Sequence, residues 1–154
     1  MVYCFHHFLY KEGSSMIQLI TGEKGKGKTK VLLDKANEAA KSAKGSLVFV
    51  DKDSSHILEL KNSIRLVDVS KYSISSSNEF YGFTAGIISA DHDLEQLYID
   101  AFLKTAYVKD DDYIEVLRKI DKLSEHYGVT VLVSISVTKD QLPEDMAGKV
   151  IVAL

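Results

Sequence analysis

Residues 22–29 read G-E-K-G-K-G-K-T. Gly22 and Gly27 let the backbone turn back and aim successive N–H groups inward, and Gly25 frees the middle of the loop. Lys28 then brings a point charge, and Thr29 a hydroxyl, to the same place. The spacing is glycine, four residues, then Gly-Lys-Thr. In that pattern the backbone cradles phosphates, the lysine meets the β- and γ-phosphates and the hydroxyl meets Mg²⁺. A helix starting at residue 28 would point the positive end of its dipole at the same anion. The whole loop, Gly22, Glu23, Lys24, Gly25, Lys26, Gly27, Lys28 and Thr29, is therefore the candidate nucleotide site, with Thr29 also a metal ligand. Lys30 reads as a solvated charge.

Other residues are less specific. Acids close apolar runs at Asp51, Asp68 and Asp100, with Asp53 two places after Asp51. In a doubly wound sheet ligands gather at the carboxyl ends of strands, so each is a candidate. Asp53 also precedes Ser54 and Ser55 and could simply cap a turn. Ser134 and Ser136 end the run V-T-V-L-V. His56, His92 and His126 lack metal-ligand spacing and read as surface or structural residues. Tyr72, Tyr81, Tyr98, Tyr107 and Tyr113 read as packing residues.

The elements that must position these groups alternate between strand and helix. Buried strands are expected at 16–21, 46–51, 96–100 and 129–136, apolar on both faces as parallel strands are. Further strands are expected at 64–69 and 149–153. A helix over 28–43 carries Val31, Leu32, Ala36, Ala39, Ala40 and Ala43 on one face and stops at Gly45. A weaker helix is expected over 54–62. Another spans 78–90, where Gly82 and Gly86 would allow close packing. The clearest helix runs over 111–127, from an acidic start at Asp110, Asp111 and Asp112 to Gly128. The serine-rich stretch 70–78 reads as a loop, and 140–147 as a turn or short helix around Pro143. This alternation predicts an α/β fold: a three-layer α/β/α sandwich around a mostly parallel sheet of five or six strands.

Composition narrows the classes. The chain has 154 residues, 45% hydrophobic and 27% charged, with a net charge of −3. That fits one globular domain and gives no overall basic field for nucleic acid. No apolar run is long enough to span a membrane. A single cysteine, Cys4, excludes an internal disulfide and a cysteine zinc cluster. A cytoplasmic location is expected. Of the 19 lysines and arginines, only Arg65 and Arg118 are arginines. Residues 1–15 fit no secretory signal, because His6 and His7 interrupt the apolar run. Lys11-Glu12-Gly13 can be encoded as a ribosome-binding sequence ahead of the Met16 codon. Residues 1–15 are thus expected to be translated leader, and 16–154 a single nucleotide-binding domain.

The loop and its strand–helix setting resemble the P-loop NTPase superfamily. Across residues 16–154 the chain is also similar to a family of small bacterial ATP-binding proteins, some of them labelled as twitching-motility proteins. The superfamily resemblance implies a second motif, an apolar strand ending in an Asp that orients Mg²⁺. L-Y-I-D at 97–100 fits, making Asp100 the metal candidate and Asp68 its rival. Many such ATPases place a Glu directly after this Asp, where Ala101 stands here. In RecA-like members an acid at the end of the next strand serves as base or metal ligand, which implies Asp51 or Asp53. Ser134 matches the position of a γ-phosphate sensor. The absence of an Asn-Lys-x-Asp motif favours ATP over GTP.

Three functions remain: an ATPase module acting with a protein partner or as a homo-oligomer, a small-molecule or nucleotide kinase, and a nucleotide-binding regulator. Kinases of this fold usually close arginines over the phosphates, and Lys139 or Lys149 would replace them poorly. The favoured expectation is a Mg-ATP-binding protein with slow hydrolysis.

Overall fold

The computed structural model describes residues 16–109 and 112–154. The expected leader, 1–15, and the acidic residues Asp110 and Asp111 lie outside the described residues. Six strands form one sheet: β1 (Ile17–Thr21), β2 (Ser46–Asp51), β3 (Ile64–Asp68), β4 (Leu94–Ile99), β5 (Thr130–Ile135) and β6 (Val150–Ala153). Their order is β3-β2-β4-β5-β1-β6, and every pairing is parallel. Burial follows that order. The inner strands are covered on both faces, whereas β6, at one edge, alternates between half-buried and exposed residues.

Among the described residues five α-helices flank the sheet: α1 (Lys28–Ala40), α2 (Ser77–Ala90), α3 (Phe102–Thr105), α4 (Tyr113–Tyr127) and α5 (Glu144–Ala147). Side chains on a strand alternate between the sheet's faces. Ile17, Leu19, Leu97, Ile99, Val131 and Val133 therefore pack with Phe80, Phe102, Leu117 and Ile120, from α2, α3 and α4, on one face. Ile20, Phe49, Tyr98 and Leu132 turn the other way, against Leu32, Leu33 and Ala36 of α1. The result is the expected three-layer sandwich.

Four local expectations differ from the structure. The helix expected over 54–62 is a single 3-10 turn, Ile57–Glu59. Leu58 there is almost wholly exposed and only Leu60 is buried, so the segment has no apolar face to hold a longer helix. The helix expected to reach 43 ends at Ala40. Gly45 is needed for a different reason from stopping it, since a Cβ there would lie 2.0 Å from the Asp93 carbonyl oxygen. Gly82 and Gly86 in α2 do not serve close packing, because a Cβ at either would meet nothing within 4 Å. Finally, the short helix α3, directly after Asp100, had no counterpart in the sequence reading. Among the described residues no helix is long and apolar enough to cross a membrane.

Candidate functional site

In an all-parallel sheet the carboxyl ends of all strands share one edge. The loop after β1, Asp51 at the end of β2, Asp100 after β4 and Ser134 near the end of β5 therefore converge. The loop itself carries the backbone its sequence demands. Gly25 and Gly27 lie at φ 86° and 90°, in the left-handed region that side chains avoid. Gly22 packs so closely that a Cβ would sit 2.9 Å from the Leu154 carbonyl oxygen. Gly27 leads directly into α1. Lys28 is buried and its Nζ donates to the Glu23 carbonyl at 2.8 Å, so the lysine closes the loop on itself. Burial lowers its pKa, partly opposed by the charge of Asp100.

Asp100 is the centre of the site. It is 1% exposed. Its carboxylate accepts from Thr29 Oγ1 at 2.9 and 3.2 Å and from Ser134 Oγ at 2.5 Å. Its backbone N–H donates to the Val50 carbonyl, and its own carbonyl accepts from Thr105 Oγ1 of α3. Ser134 Oγ also accepts from the Ala101 N–H at 2.8 Å. Ala101, at φ 48°, turns the chain sharply from β4 into α3. Sequence reasoning thus named three side chains that come together, since Thr29 and Ser134, 105 residues apart in the chain, both donate to the Asp100 carboxylate. Asp68 lies on β3, at the far edge of the sheet from the loop, and caps the turn at Ser70.

The β2–β4 pairing sets Asp51 beside Asp100, because Val50 is in register with Ile99. Asp51 is fully buried. Its Oδ1 accepts from the Lys52 N–H, and its Oδ2 lies 2.7 Å from His56 Nδ1. Burial raises the Asp51 pKa; the His56 hydrogen bond opposes this and the Asp100 charge adds to it. For His56 burial works downward, but the hydrogen bond and charge of Asp51, with Asp100 and Glu59 behind, outweigh it and the pKa is raised. Asp53 is not brought to this cluster. Its Oδ1 accepts from both the N–H and the hydroxyl of Ser55. That is the capping role its neighbours suggested.

Between the loop and α3 lies a cleft of about 350 Å³, lined by Lys24, Gly27, Lys28, Thr29, Lys52, Ala101, Lys104, Ser134 and Ser136. Four lysines face one space, which suits a polyanion. Sequence reasoning missed Lys52, Lys104 and His56. The only trace was position: Lys52 follows Asp51 directly, Lys104 comes four residues after Asp100, and His56 comes five residues after Asp51. The arginines stand apart from this cleft. Arg118 is paired with Asp145 at 2.9 and 3.0 Å, and Lys149 with Asp121 at 2.8 Å.

The donor set suits Mg²⁺. A hard divalent cation takes oxygen ligands, and Thr29 Oγ1 and the Asp100 carboxylate already point at each other.

No family model matches the chain, and no curated protein matches it. The structure is similar to the crystal structure of a KaiC-like protein from the hyperthermophilic archaeon Pyrococcus horikoshii OT3, with a TM-score of 0.58 and 21% identity. The match covers 77% of this chain and 61% of that one, so the chain spans about three fifths of its neighbour's length. At that identity the likeness is one of fold, and it does not extend to the small bacterial proteins with twitching-motility labels. The chain has an α/β fold like that of this neighbour, with a six-stranded all-parallel sheet and the glycine-rich loop directly after its first strand.

Proposed function

We propose that the chain binds Mg-ATP at the 22–29 loop and hydrolyses it slowly, acting with a partner or through self-assembly. The observation that carries this is the meeting of Thr29, Asp100 and Ser134 beside a loop whose glycines take left-handed backbone. In this reading the loop N–H groups and Lys28 hold the β- and γ-phosphates, with Lys28 exchanging the Glu23 carbonyl for phosphate oxygen. Thr29 and Asp100 would hold Mg²⁺, which when bound neutralises phosphate charge. Ser134 reports on the γ-phosphate through its bond to Asp100. Asp51 orients the attacking water and accepts its proton. A raised pKa brings a carboxylate nearer to the strength that such a base needs at neutral pH. The lysines of the cleft offer charge within the chain, but as point charges they are weaker than an arginine fork.

Lys28→Ala tests the binding step. Calorimetric titration should show Mg-ATP affinity reduced about tenfold or more, the scale of a lost charged hydrogen bond, in a protein that still folds. Unchanged affinity would remove the loop from the assignment.

A further inference from the structure

Asp51, His56 and Asp100 each offer one ligand atom, and these atoms all lie within 4.8 Å of one another. We propose that in the nucleotide-free chain they form a binding site for a first-row transition-metal dication, separate from the Mg²⁺ expected at Thr29 and sharing only Asp100 with it, and that this ion leaves before Asp51 serves as a base. The inference stands without the nucleotide reading, since it uses neither Lys28 nor the loop.

Three observations point the same way. The first is charge. Asp51 and Asp100 are 0% and 1% exposed and sit side by side on neighbouring strands. Two buried carboxylates need compensating charge. Lys28 is turned to the Glu23 carbonyl, and of the two acids His56 meets Asp51 alone, so among the described contacts the pair is compensated by at most one imidazolium on one of its two acids. A dication would neutralise both acids.

The second observation is geometry. Oxygen and nitrogen ligands at about 2.1 Å from one ion stand about 3.0 Å apart when adjacent and about 4.2 Å when opposite. The His56 Nδ1–Asp51 Oδ2 separation is 2.7 Å, and the three ligand atoms all lie within 4.8 Å of one another, so the side chains have to open slightly to admit an ion. Only small side-chain movements separate the arrangement from a ligand set. The third is ligand type. Carboxylates alone favour Mg²⁺, Ca²⁺ and Mn²⁺, whereas an imidazole shifts preference toward Fe²⁺, Ni²⁺, Cu²⁺ and Zn²⁺. His56 is only partly exposed, with its Nδ1 edge turned inward onto Asp51.

The test uses the full chain without nucleotide and Mn²⁺ as the probe. Electron paramagnetic resonance should show Mn²⁺ taken up at this site, displaced by Co²⁺ more readily than by Mg²⁺. Pulsed spectra should carry nitrogen coupling from an imidazole, measured with His6→Ala, His7→Ala, His92→Ala and His126→Ala in place to remove other sources. His56→Gln should weaken Mn²⁺ binding about tenfold or more and abolish the coupling. Lys28→Ala should keep Mn²⁺ and lose ATP, which separates failure of this site from failure of the nucleotide reading. If His56→Gln does not fold, Asp51→Asn puts the same question. No Mn²⁺ uptake, uptake without nitrogen coupling, or equal affinity in the folded variants would each overturn the site and leave His56 as a hydrogen-bonding prop for Asp51.

Discussion

Asp51 and Asp53 look equivalent in the sequence, yet the fold gives them opposite surroundings. Asp51 is buried beside Asp100 and His56, whereas Asp53 is tied to Ser55 at the surface. Asp51→Asn should therefore lower ATP turnover by roughly a hundredfold or more, the usual range for a positioned base, with Mg-ATP affinity within a few-fold. Asp53→Asn should leave turnover near the parental rate. Phosphate release and calorimetric titration on the two variants decide, and equal effects would remove the distinction. His56 gives a second expectation. Its folded pKa lies above 6.5 because the Asp51 hydrogen bond and charge, with Asp100 and Glu59, outweigh burial. A raised folded pKa contributes stability that is full below the unfolded value and lost as pH rises through the folded one. With a chelator present, the melting temperature of the parent should exceed that of His56→Gln by more at pH 6 than at pH 8. The glycine-rich loop was legible because eight consecutive residues carry it. Asp100 and Ser134 were legible through strand ends. His56 and Lys104 were not, because their value depends on which strand lies beside which.

At the scale of elements, periodicity identified all six strands, since buried parallel strands are unbroken apolar runs between turns. It overreached at 54–62, where helix-forming residues have nothing to pack on. It missed α3, whose four residues are too few to show a period and are held instead by Asp100, Thr105 and the turn at Ala101. The glycines of α2 misled in another way. Close packing was the natural reading of Gly82 and Gly86, but both lie on the exposed side with open space at the Cβ. Alanine at either should stabilise the protein by about 1 kcal/mol, from helix propensity and a less flexible unfolded chain. For a domain of this size that is a rise of about 2–4 °C in melting temperature per substitution, measurable by circular dichroism. A fall would mean that these positions meet something outside the described chain.

At the scale of the whole molecule, the proposed function depends on where positive charge could reach a bound nucleotide's phosphates. Arg118 is held by Asp145, and Arg65 lies on β3, four strands from the loop strand. The cleft is lined by Lys24, Lys28, Lys52 and Lys104 instead. Phosphoryl transfer spreads charge over the equatorial oxygens, and P-loop enzymes without an outside arginine turn over slowly. The isolated chain should release phosphate on the order of 10⁻³ s⁻¹, the intrinsic rate scale of such enzymes. Lys104→Ala should slow release further, while Arg118→Ala should not change it. A self-assembling ATPase would show specific activity rising with protein concentration. A partner-dependent one would stay flat until the partner is added. Transfer of the γ-phosphate to a nucleoside, nucleotide or small metabolite at several turnovers per second would contradict both. It would mean that four lysines do the work of an arginine lid, and would move the chain from ATPase to kinase.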